Sequence, residues 1–529
     1  MSTTSSHSSR VLSMASGTLA SRLTGLLRVF VLVWVLGFTP LADAFNLANT
    51  IPNMLFDLVL GGIMIATYIP VFVERLAVDG ERRAWHSIST VLTASVVTLI
   101  VGSVLAWIAA PWIIDGFTAL HQLDAGHAAT LLSNQRRVAT ELLRWFVPQI
   151  LFYGLIGLAT ALLNVRHRFG APAWVPVANN VIAIAVLIWF HLADPTPVLG
   201  QLPGSRDLLW LGLGTTLGVA VQFLFLLPSL ARSDLWRIGP RFDRHDPALH
   251  AIARLGGWTL LVVVANQASL YVILALAFGV GGNGPVSAYT YGWSFFLIPY
   301  AVIVVSVLSS LAPQLSRMAT DEDYAGFSER LRFGLRQSLV IIVPCTVGFI
   351  ILSQPLVAVL NHVNATHTLA AGTVLAVLAA GMPGFTVYML CVRGLQAMQR
   401  ARQVFVLYLF QNGLNIALAL AFGRHSIAAL TSSVSVSYTV AAVAALLALS
   451  RRHVSITSTI WSVHVRRSAV ASLIAGAAMA AAYAASSASV GLGLIIRFAG
   501  AFVVGIVAYV VVVALGQRRV GRRPSNVQG

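Results

Sequence analysis

The pattern of hydrophobic and polar residues along the chain is a series of long apolar stretches separated by short polar segments. Most stretches reach the roughly 20 apolar residues that an α-helix needs to cross a bilayer. We predict fourteen spans: residues 12–38, 44–73, 87–114, 141–165, 172–193, 207–231, 250–279, 286–312, 335–353, 368–397, 403–422, 426–450, 467–487 and 491–515. The pattern therefore predicts an all-α polytopic membrane protein without a separate extramembrane domain.

Arginines are distributed unevenly between the two sides of these spans. If the N-terminus is cytoplasmic, the predicted outside segments carry only Arg136, Arg137, Arg206 and Arg424, and the predicted inside segments carry many more. Cytoplasmic segments of membrane proteins are enriched in arginine and lysine. We therefore predict a multi-pass protein of the bacterial cell membrane with both termini in the cytoplasm.

A weak internal repeat suggests how the spans are grouped. The segments that begin at Ala161 and Gly394 are 233 residues apart, and each leads into a basic turn. Six spans separate them, so the two copies are expected to be parallel repeats. We predict a polar tail (1–11), an N-terminal lobe (12–231), a cytoplasmic linker (232–249), a C-terminal lobe (250–450), two further spans (451–515) and a basic tail (516–529).

Two arginines lie inside the first span, where charge is costly. Arg22 and Arg28 each cost roughly 2.5–3.5 kcal/mol at mid-bilayer depth, which a chain tolerates when the charge faces a polar cavity. Six residues separate them, about 240° around the helix and about 9 Å along it. One can therefore face a cavity while the other snorkels or pairs between helices. We predict a cationic cavity with an anionic ligand; the alternative for Arg28 is neutralisation by an acid such as Asp57.

The second span carries a polar stripe. Its members are Asn46, Asn49, Asn53 and Asp57, which share one helical face. Pro52 interrupts the backbone hydrogen bonds of this span, and Gly61 and Gly62 permit bending or close helix approach. The stripe suits either a mobile cavity wall or hydrogen bonding between helices.

Other polar residues in the spans give weaker indications. Asn266 and Gln267 are our binding candidates in the second half of the chain, whereas Gln149, Asn179, Asn180 and Gln222 are explained equally well by interhelical hydrogen bonds. Arg144 and Arg393 lie near span ends, where snorkelling is an ordinary explanation.

The sequence offers little for catalysis, metals or nucleic acids. It contains no HExxH, CxxC or P-loop pattern and no acid pair on one helical face, so we expect no enzyme activity, no metal site and no bound cofactor. The net charge of +17 is spread along the spans and is not concentrated in a soluble domain, which argues against a nucleic-acid partner.

Several short segments, taken together, resemble one known family. They are residues 15–28, 43–45, 51–53, 143–148, 163–176, 311–316 and 393–402. In this order and spacing, from about residue 12 to 515, they resemble the MurJ/MviN family of lipid II flippases. The Leu-Gly-Gly sequence at 60–62 is similar to an actinobacterial-type branch of that family.

The resemblance implies fourteen helices, with two six-helix lobes and two C-terminal helices. It also implies that alternating access moves the undecaprenyl-diphosphate-linked peptidoglycan precursor from the inner to the outer leaflet. Arg22 and Arg28 would be cavity cations. The expected substrate contacts are Arg22, Arg28, Asn49, Asn53, Asp57, Asn266 and Gln267, and the expected structural or gating residues are Asp43, Pro52, Gly61, Gly62, Arg144 and Arg393. Spans 13 and 14 would form a groove for the polyprenyl tail, because such a tail gains nothing in a polar cavity.

The chain departs from the family pattern where further cations are expected. Phe56, Asp57 and Gly61 replace two arginines and a later glutamate, and Ser294 replaces another cavity arginine. The alternatives are a flippase for another polyprenyl-linked saccharide, a cation-coupled drug antiporter of the same superfamily, or a scaffold that does not transport. Expected partners are lipid II, membrane lipids and cell-wall synthesis or division proteins, with coupling to the membrane potential or a monovalent ion.

Overall fold

The computed structural model describes most of the chain. The described residues are 3–58, 67–78, 80–120, 127–166, 168–232, 239–280, 284–360, 365–452, 454, 456–486 and 491–521. The regular elements in these ranges are all helices, and they divide into two compact units, Met1–Val286 and Ser287–Gly529. The all-α class predicted from the sequence is confirmed.

The described part of the N-terminal unit contains ten α-helices. They are α1 (Thr3–Leu36), α2 (Pro40–Phe56), α3 (Ile69–Val78), α4 (Gly80–Thr118), α5 (His127–Phe146), α6 (Pro148–Val165), α7 (Gly170–Ala193), α8 (Arg206–Leu224), α9 (Leu227–Ala231) and α10 (Pro247–Gly279), with a short 3₁₀ turn at Leu199–Gln201. Within this unit α1 packs on α7, α7 on α8, α2 on α5, and α10 on α4.

The C-terminal unit is equally helical. Its elements are α11 (Pro285–Pro299), a π-helical turn (Tyr300–Val304), α12 (Val305–Thr320), α13 (Tyr324–Leu360), α14 (Ala365–Ala380), α15 (Met382–Ala397), α16 (Ala401–Phe422), α17 (Ile427–Ser450), α18 (Thr457–Ile460), α19 (Val463–Ala484) and α20 (Gly491–Gly521). In this unit α19 packs on α20 and α13, and α17 packs on α15 and α16.

The spans predicted from hydropathy largely coincide with these helices. Among the described residues, twelve helices are long and apolar enough to cross a membrane, and the pair Thr368–Ala380 and Met382–Ala397, bent by 44°, makes a thirteenth if it is one span. The predicted second span, 44–73, includes residues 59–66, which lie outside the described residues. The multi-pass architecture is thus confirmed, while the total of fourteen stays a prediction.

One local expectation from hydropathy is wrong. The predicted spans 87–114 and 141–165 leave residues 115–140 between them as an outside segment, but α4 continues to Thr118 and α5 begins at His127. Helix α5 is amphipathic: it buries Leu132, Val138 and Leu142 and leaves polar residues on its other face. An average over both faces conceals such a helix, whereas packing of its apolar face stabilises it.

The start of α2 is defined by capping and by a close backbone approach. The Thr39 hydroxyl accepts a hydrogen bond from the Ala42 amide, and Pro40 occupies the first turn, where its missing N–H costs nothing. Gly284 has a φ of +80°, and a Cβ atom there would lie 2.5 Å from the Phe38 carbonyl carbon. A side chain is therefore excluded beside the turn that leads into α2.

The two predicted six-span lobes are defined by the internal repeat, whereas the two units are defined by packing, so their boundaries need not coincide. Helix α10 contains the predicted seventh span and belongs to the N-terminal unit by its packing. Its assignment to a C-terminal lobe concerns the internal repeat and stays a prediction.

Candidate functional site

The N-terminal unit encloses a polar cavity of about 420 Å³ between α1, α2, α6, α7 and α8. We call it the polar cavity. Its polar side chains are Ser21, Arg28, Asn49, Asn53, Gln149, Tyr153, Asn179, Asn180, Thr215 and Gln222. Among the described residues, hydroxyl and amide groups thus surround one guanidinium, and none of the lining side chains is a carboxylate.

Arg28 reaches the cavity because of its position on α1. Ser21, Gly25, Arg28 and Leu32 follow helical spacing and form the α1 part of the wall. The Nε atom of Arg28 is buried and has no hydrogen-bond partner, and no ion pair of Arg28 occurs among the described residues. The alternative considered above was that Asp57 neutralises Arg28, but the described residues form no ion pair between these two side chains. Arg28 therefore has unused hydrogen-bonding capacity toward an anion.

Arg22 does not share this position. It is half-buried on α1 and does not line the polar cavity, although Ser21 beside it does. The separation of about 240° between the two arginines accounts for this difference. The structure thus brings Arg28, and not Arg22, together with the other cavity residues.

The polar stripe of α2 contributes two of its four members to the wall. Asn49 and Asn53 line the cavity, and the Asn53 amide donates to the Asn49 carbonyl oxygen at 3.0 Å. Pro52 lies inside α2 between them and cannot donate a backbone hydrogen bond. Asn46 is buried at 4 % exposure and does not line the cavity.

Asp57 and Gln267 form a contact of their own within the N-terminal unit. The Gln267 Nε2 atom donates to Asp57 Oδ2 at 3.1 Å and so joins the end of α2 to α10. Gln267 Oε1 is buried without a hydrogen-bond partner. Neither residue lines the polar cavity, nor does the neighbouring Asn266, which is half-buried.

Two hydrogen-bond networks fix the walls of the cavity. The Tyr153 hydroxyl donates to Gln149 Oε1 at 3.3 Å, and the Gln149 amide donates to the Thr216 hydroxyl at 3.1 Å. The Thr216 hydroxyl in turn donates to the Trp145 carbonyl at 2.7 Å. These bonds join α6 to α8 and α8 to α5, and they confirm the interhelical role considered for Gln149.

A second network joins α1 to α7. The Asn180 amide donates to the Ser21 carbonyl at 3.2 Å and to the Thr24 hydroxyl at 3.0 Å. A Cβ atom at Gly218 would lie 2.6 Å from Asn179 Oδ1, so the glycine allows α8 to approach α7. These contacts pack α1 and α8 against α7 beside the polar cavity.

Tyr153, like Ser21 and Thr215, is a cavity residue that sequence reasoning missed. Gln149 and Tyr153 are four residues apart and therefore share a face of α6, and this spacing was the available signal. The Tyr153 ring lies 6.0 Å from the ring of Phe56, a position where the family pattern has arginine. An aromatic pair thus stands where a second cation was expected.

The expected structural and gating residues are dispersed. Asp43 is buried at 2 % exposure in the first turn of α2, and the Arg144 guanidinium lies 5.1 Å from the centre of the Trp107 ring, joining α5 to α4. Arg393 lies on α15 in the C-terminal unit. Gly61 and Gly62 lie outside the described residues. Ser294, at another missing family arginine, donates to the Thr290 carbonyl of its own helix at 2.9 Å.

The C-terminal unit contains a different kind of cavity, which we call the apolar groove. Its volume is about 460 Å³, and it lies between the π-helical turn, α13, α19 and α20. Its wall includes Val302, Leu352, Met479, Phe498 and Phe502. Two hydroxyls reach it, and both are used internally: Ser472 donates to the Ser468 carbonyl at 2.6 Å and Tyr509 to the Val340 carbonyl at 2.9 Å.

Metal chemistry has no support in the described part of the chain. Those residues contain no group of three or more His, Cys, Asp or Glu side chains that could hold a metal ion. The chemistry available in the polar cavity is recognition of an anion by a guanidinium, amides and hydroxyls.

Solved structures with the same fold are transporters. A structure titled lipid II flippase MurJ, inward closed conformation, covers 96% of this chain and 99% of that chain, with a TM-score of 0.75 and 19% identity. An inward-facing multidrug resistance MATE family transporter of the MOP superfamily covers 83% of this chain and 96% of that chain, with a TM-score of 0.67 and 15% identity. At these identities the likeness concerns the fold.

Sequence comparison is more specific. Lipid II flippase MurJ of Burkholderia cenocepacia is 29% identical over 401 residues, which cover 74% of this chain and 73% of that protein. Probable lipid II flippase MurJ of Rhizobium meliloti is 25% identical over 415 residues, which cover 77% and 74%. The family model described as lipid II flippase MurJ matches residues 32–509. Because this match spans most of the 529 residues, the chain belongs to the lipid II flippase MurJ family.

Proposed function

We propose that this multi-pass membrane protein is a lipid II flippase. Its substrate would be the undecaprenyl-diphosphate-linked disaccharide-pentapeptide, moved from the inner to the outer leaflet by alternating access. The observation that carries the proposal is Arg28, a guanidinium without a carboxylate partner in a polar cavity of a MurJ family member. A diphosphate supplies the missing negative charge, and a charge-assisted hydrogen bond replaces the water it loses.

The residues around Arg28 have complementary roles in this proposal. Asn49 and Asn53 contact the phosphate or the sugar from α2. Arg22 acts as a second cation at another stage of the cycle, and Asp57 with Gln267 and Asn266 contributes outside the polar cavity. Asp43, Pro52, Arg144 and Arg393 act as structural or gating residues, as do Gly61 and Gly62.

The apolar groove supports the same substrate from the other unit. Its apolar wall and internally satisfied hydroxyls favour a hydrocarbon chain over water. We propose that the polyprenyl tail occupies it. A cationic drug, in contrast, would find no carboxylate among the described residues of the polar cavity, which makes the antiporter alternative the weaker one.

Orientation and coupling complete the proposal. The arginine distribution supports cytoplasmic termini, and a reporter fused after Gly529 should report a cytoplasmic location. We also propose coupling to the membrane potential or to a monovalent ion. Collapse of the potential with an ionophore in intact cells should slow transport if the first form of coupling operates.

The test replaces Arg28 by alanine. We expect Arg28→Ala, expressed at normal levels, to lose complementation of a flippase-depleted strain and lipid II translocation in vesicles. Arg137→Ala is the matched control, because Arg137 is an exposed arginine of the same unit that lies outside the cavity. Normal translocation of lipid II by Arg28→Ala would contradict the proposal. If the unchanged protein complements only a strain that lacks a flippase for another polyprenyl-linked saccharide, that alternative function is favoured.

A further inference from the structure

The C-terminal unit has a polar pocket besides the apolar groove. It has a volume of about 350 Å³ and lies between the π-helical turn, α12 and α15. Its polar lining residues are Tyr300, Ser309, Ser316, Arg393 and Gln396. Arg393 and Gln396 lie near the C-terminal end of α15, which the arginine distribution predicts to be cytoplasmic.

Arg393 is exposed in this pocket and is held in place by a neutral partner. Its Nη1 atom donates to Gln396 Oε1 at 3.1 Å, one turn further along α15. Gln396 orients the guanidinium without neutralising it, because an amide carries no charge. The Nε and Nη2 donors of Arg393 have no protein partner in the described part of the chain.

Two hydroxyls extend the set of donors. Tyr300 and Ser316 line the pocket, and neither hydroxyl has a hydrogen-bond partner among the described residues. Tyr300 begins the π-helical turn, and its ring packs edge-on against Phe385 with 4.7 Å between the centroids. Single π-helical turns occur frequently at functional sites, where they redirect a side chain.

The positive charge of Arg393 has no nearby compensation from its own unit. Asp and Glu residues are absent from the sequence after Glu329, and the acids of residues 287–329 are Asp321, Glu322, Asp323 and Glu329. None of these four lines the pocket. Within the described part of its own unit, no carboxylate in the pocket neutralises Arg393, so its charge is available to a bound anion.

We propose that this pocket binds a phosphate-type oxyanion. The guanidinium fork matches the geometry of a phosphate, and the hydroxyls of Tyr300 and Ser316 supply further donors. The volume of about 350 Å³ is ample for such a group. The same chemistry is presented by free phosphates of the cytoplasm and by phospholipid headgroups. This site lies in the other unit from Arg28 and does not rest on the proposed transport activity.

The experiment measures pyrophosphate binding to the full chain in nanodiscs. The midpoint of thermal unfolding is followed as inorganic pyrophosphate is added, in phosphatidylcholine discs. Arg28→Gln is present throughout, so that the polar cavity does not contribute. We expect added Arg393→Gln to weaken the apparent affinity by roughly tenfold or more, the usual effect of losing a charged hydrogen bond.

Three further variants keep this experiment decisive. Arg402→Gln removes an exposed arginine nine residues further along, outside the pocket, and should titrate like its parent. Arg393→Lys keeps the charge and loses the fork, so it should fall between the two. Gln396→Leu removes only the acceptor that orients Arg393 and should also weaken pyrophosphate binding. It provides the test if the Arg393→Gln protein does not fold.

A second bilayer distinguishes the two sources of the oxyanion. If a phospholipid headgroup occupies the pocket, discs with phosphatidylglycerol should stabilise the parent and reduce the pyrophosphate effect, and Arg393→Gln should abolish both differences. If the two lipids behave alike, free phosphates are the ligand. Equal titrations of Arg393→Gln and Arg402→Gln in both bilayers would overturn the proposal, whatever the outcome for transport.

Discussion

The polar cavity and the apolar groove are of similar size and have opposite chemistry. The polar cavity has about 420 Å³ and contains an arginine with an unpartnered Nε atom. The groove has about 460 Å³, and its two hydroxyls are already satisfied by backbone carbonyls. The first cavity therefore offers hydrogen bonds to a ligand, and the second offers almost nothing but apolar surface.

This difference bears on what kind of molecule the protein handles. A polar group gains free energy by replacing water with charge-assisted hydrogen bonds, whereas a hydrocarbon chain gains it by leaving water. A molecule with a diphosphate-sugar head and a long isoprenoid tail requires both environments. The two cavities have complementary roles only if each of them contributes to transport, and variants of each cavity test this.

After the loss of transport expected for Arg28→Ala, the largest effect is expected from filling the groove. Gly348 lines it, and a Cβ atom there meets only Met479 Cε at 4.0 Å, so Gly348→Phe places a ring in the groove without a backbone clash. We expect lipid II translocation to fall about tenfold. The ring displaces part of the polyprenyl tail from the groove, so the free energy that this part gains by apolar burial is lost. A substrate analogue with a short tail should be affected less, and the assay compares both in proteoliposomes.

Gly413→Phe is the matched control for this change. A Cβ atom at Gly413 has nothing within 4 Å, and the residue lies outside the groove. It should leave translocation unchanged. Equal rates for the Gly348 and Gly413 variants with the long-tailed substrate would remove the groove from the mechanism.

A smaller effect is expected in the polar cavity from Tyr153→Phe. The substitution removes the hydroxyl that donates to Gln149 and keeps the ring contact with Phe56. A typical hydrogen bond contributes about 0.5–1.5 kcal/mol, so loss of this hydroxyl from the cavity wall should weaken diphosphate binding about threefold. The measurement is a pyrophosphate titration with Arg393→Gln present, so that the Arg393 pocket does not contribute. Tyr271→Phe, which loses a hydrogen bond to the Gly116 carbonyl elsewhere in the unit, should bind normally. Unlike the groove variant, Tyr153→Phe should act equally on substrates of every tail length.

The polar cavity shows which of its residues sequence patterns can predict and which they cannot. The 3.6-residue period placed Asn49 and Asn53 on one face of α2, and both line the polar cavity. The same period could not decide which of Arg22 and Arg28 faces the cavity, because that depends on how α1 packs against α7. Packing likewise decides that Tyr153 of α6 and Thr215 of α8 meet the same space.

Hydropathy was informative for long apolar helices and misleading for amphipathic ones. It placed the spans of α13 and α20 within the observed bounds of those helices, and it placed the span of α19 at 467–487, where the helix is Val463–Ala484. It failed for α5, whose polar face lowers the average while its apolar face is buried. The groove itself was expected only from the family resemblance, since its walls come from segments far apart in sequence.

The smallest effect is expected at Asp57 and Gln267, which belong to neither cavity. Gln267→Leu removes the amide that donates to Asp57 at 3.1 Å. Interhelical hydrogen bonds in membrane proteins contribute about 0.6 kcal/mol on average, so we expect a loss of stability of about that size in detergent micelles. The pairwise contribution comes from a double-mutant cycle with Asp57→Asn, which reports the coupling between the two side chains. A coupling near zero would mean that this bond does not hold α2 against α10, and the contact would then be available for rearrangement during transport.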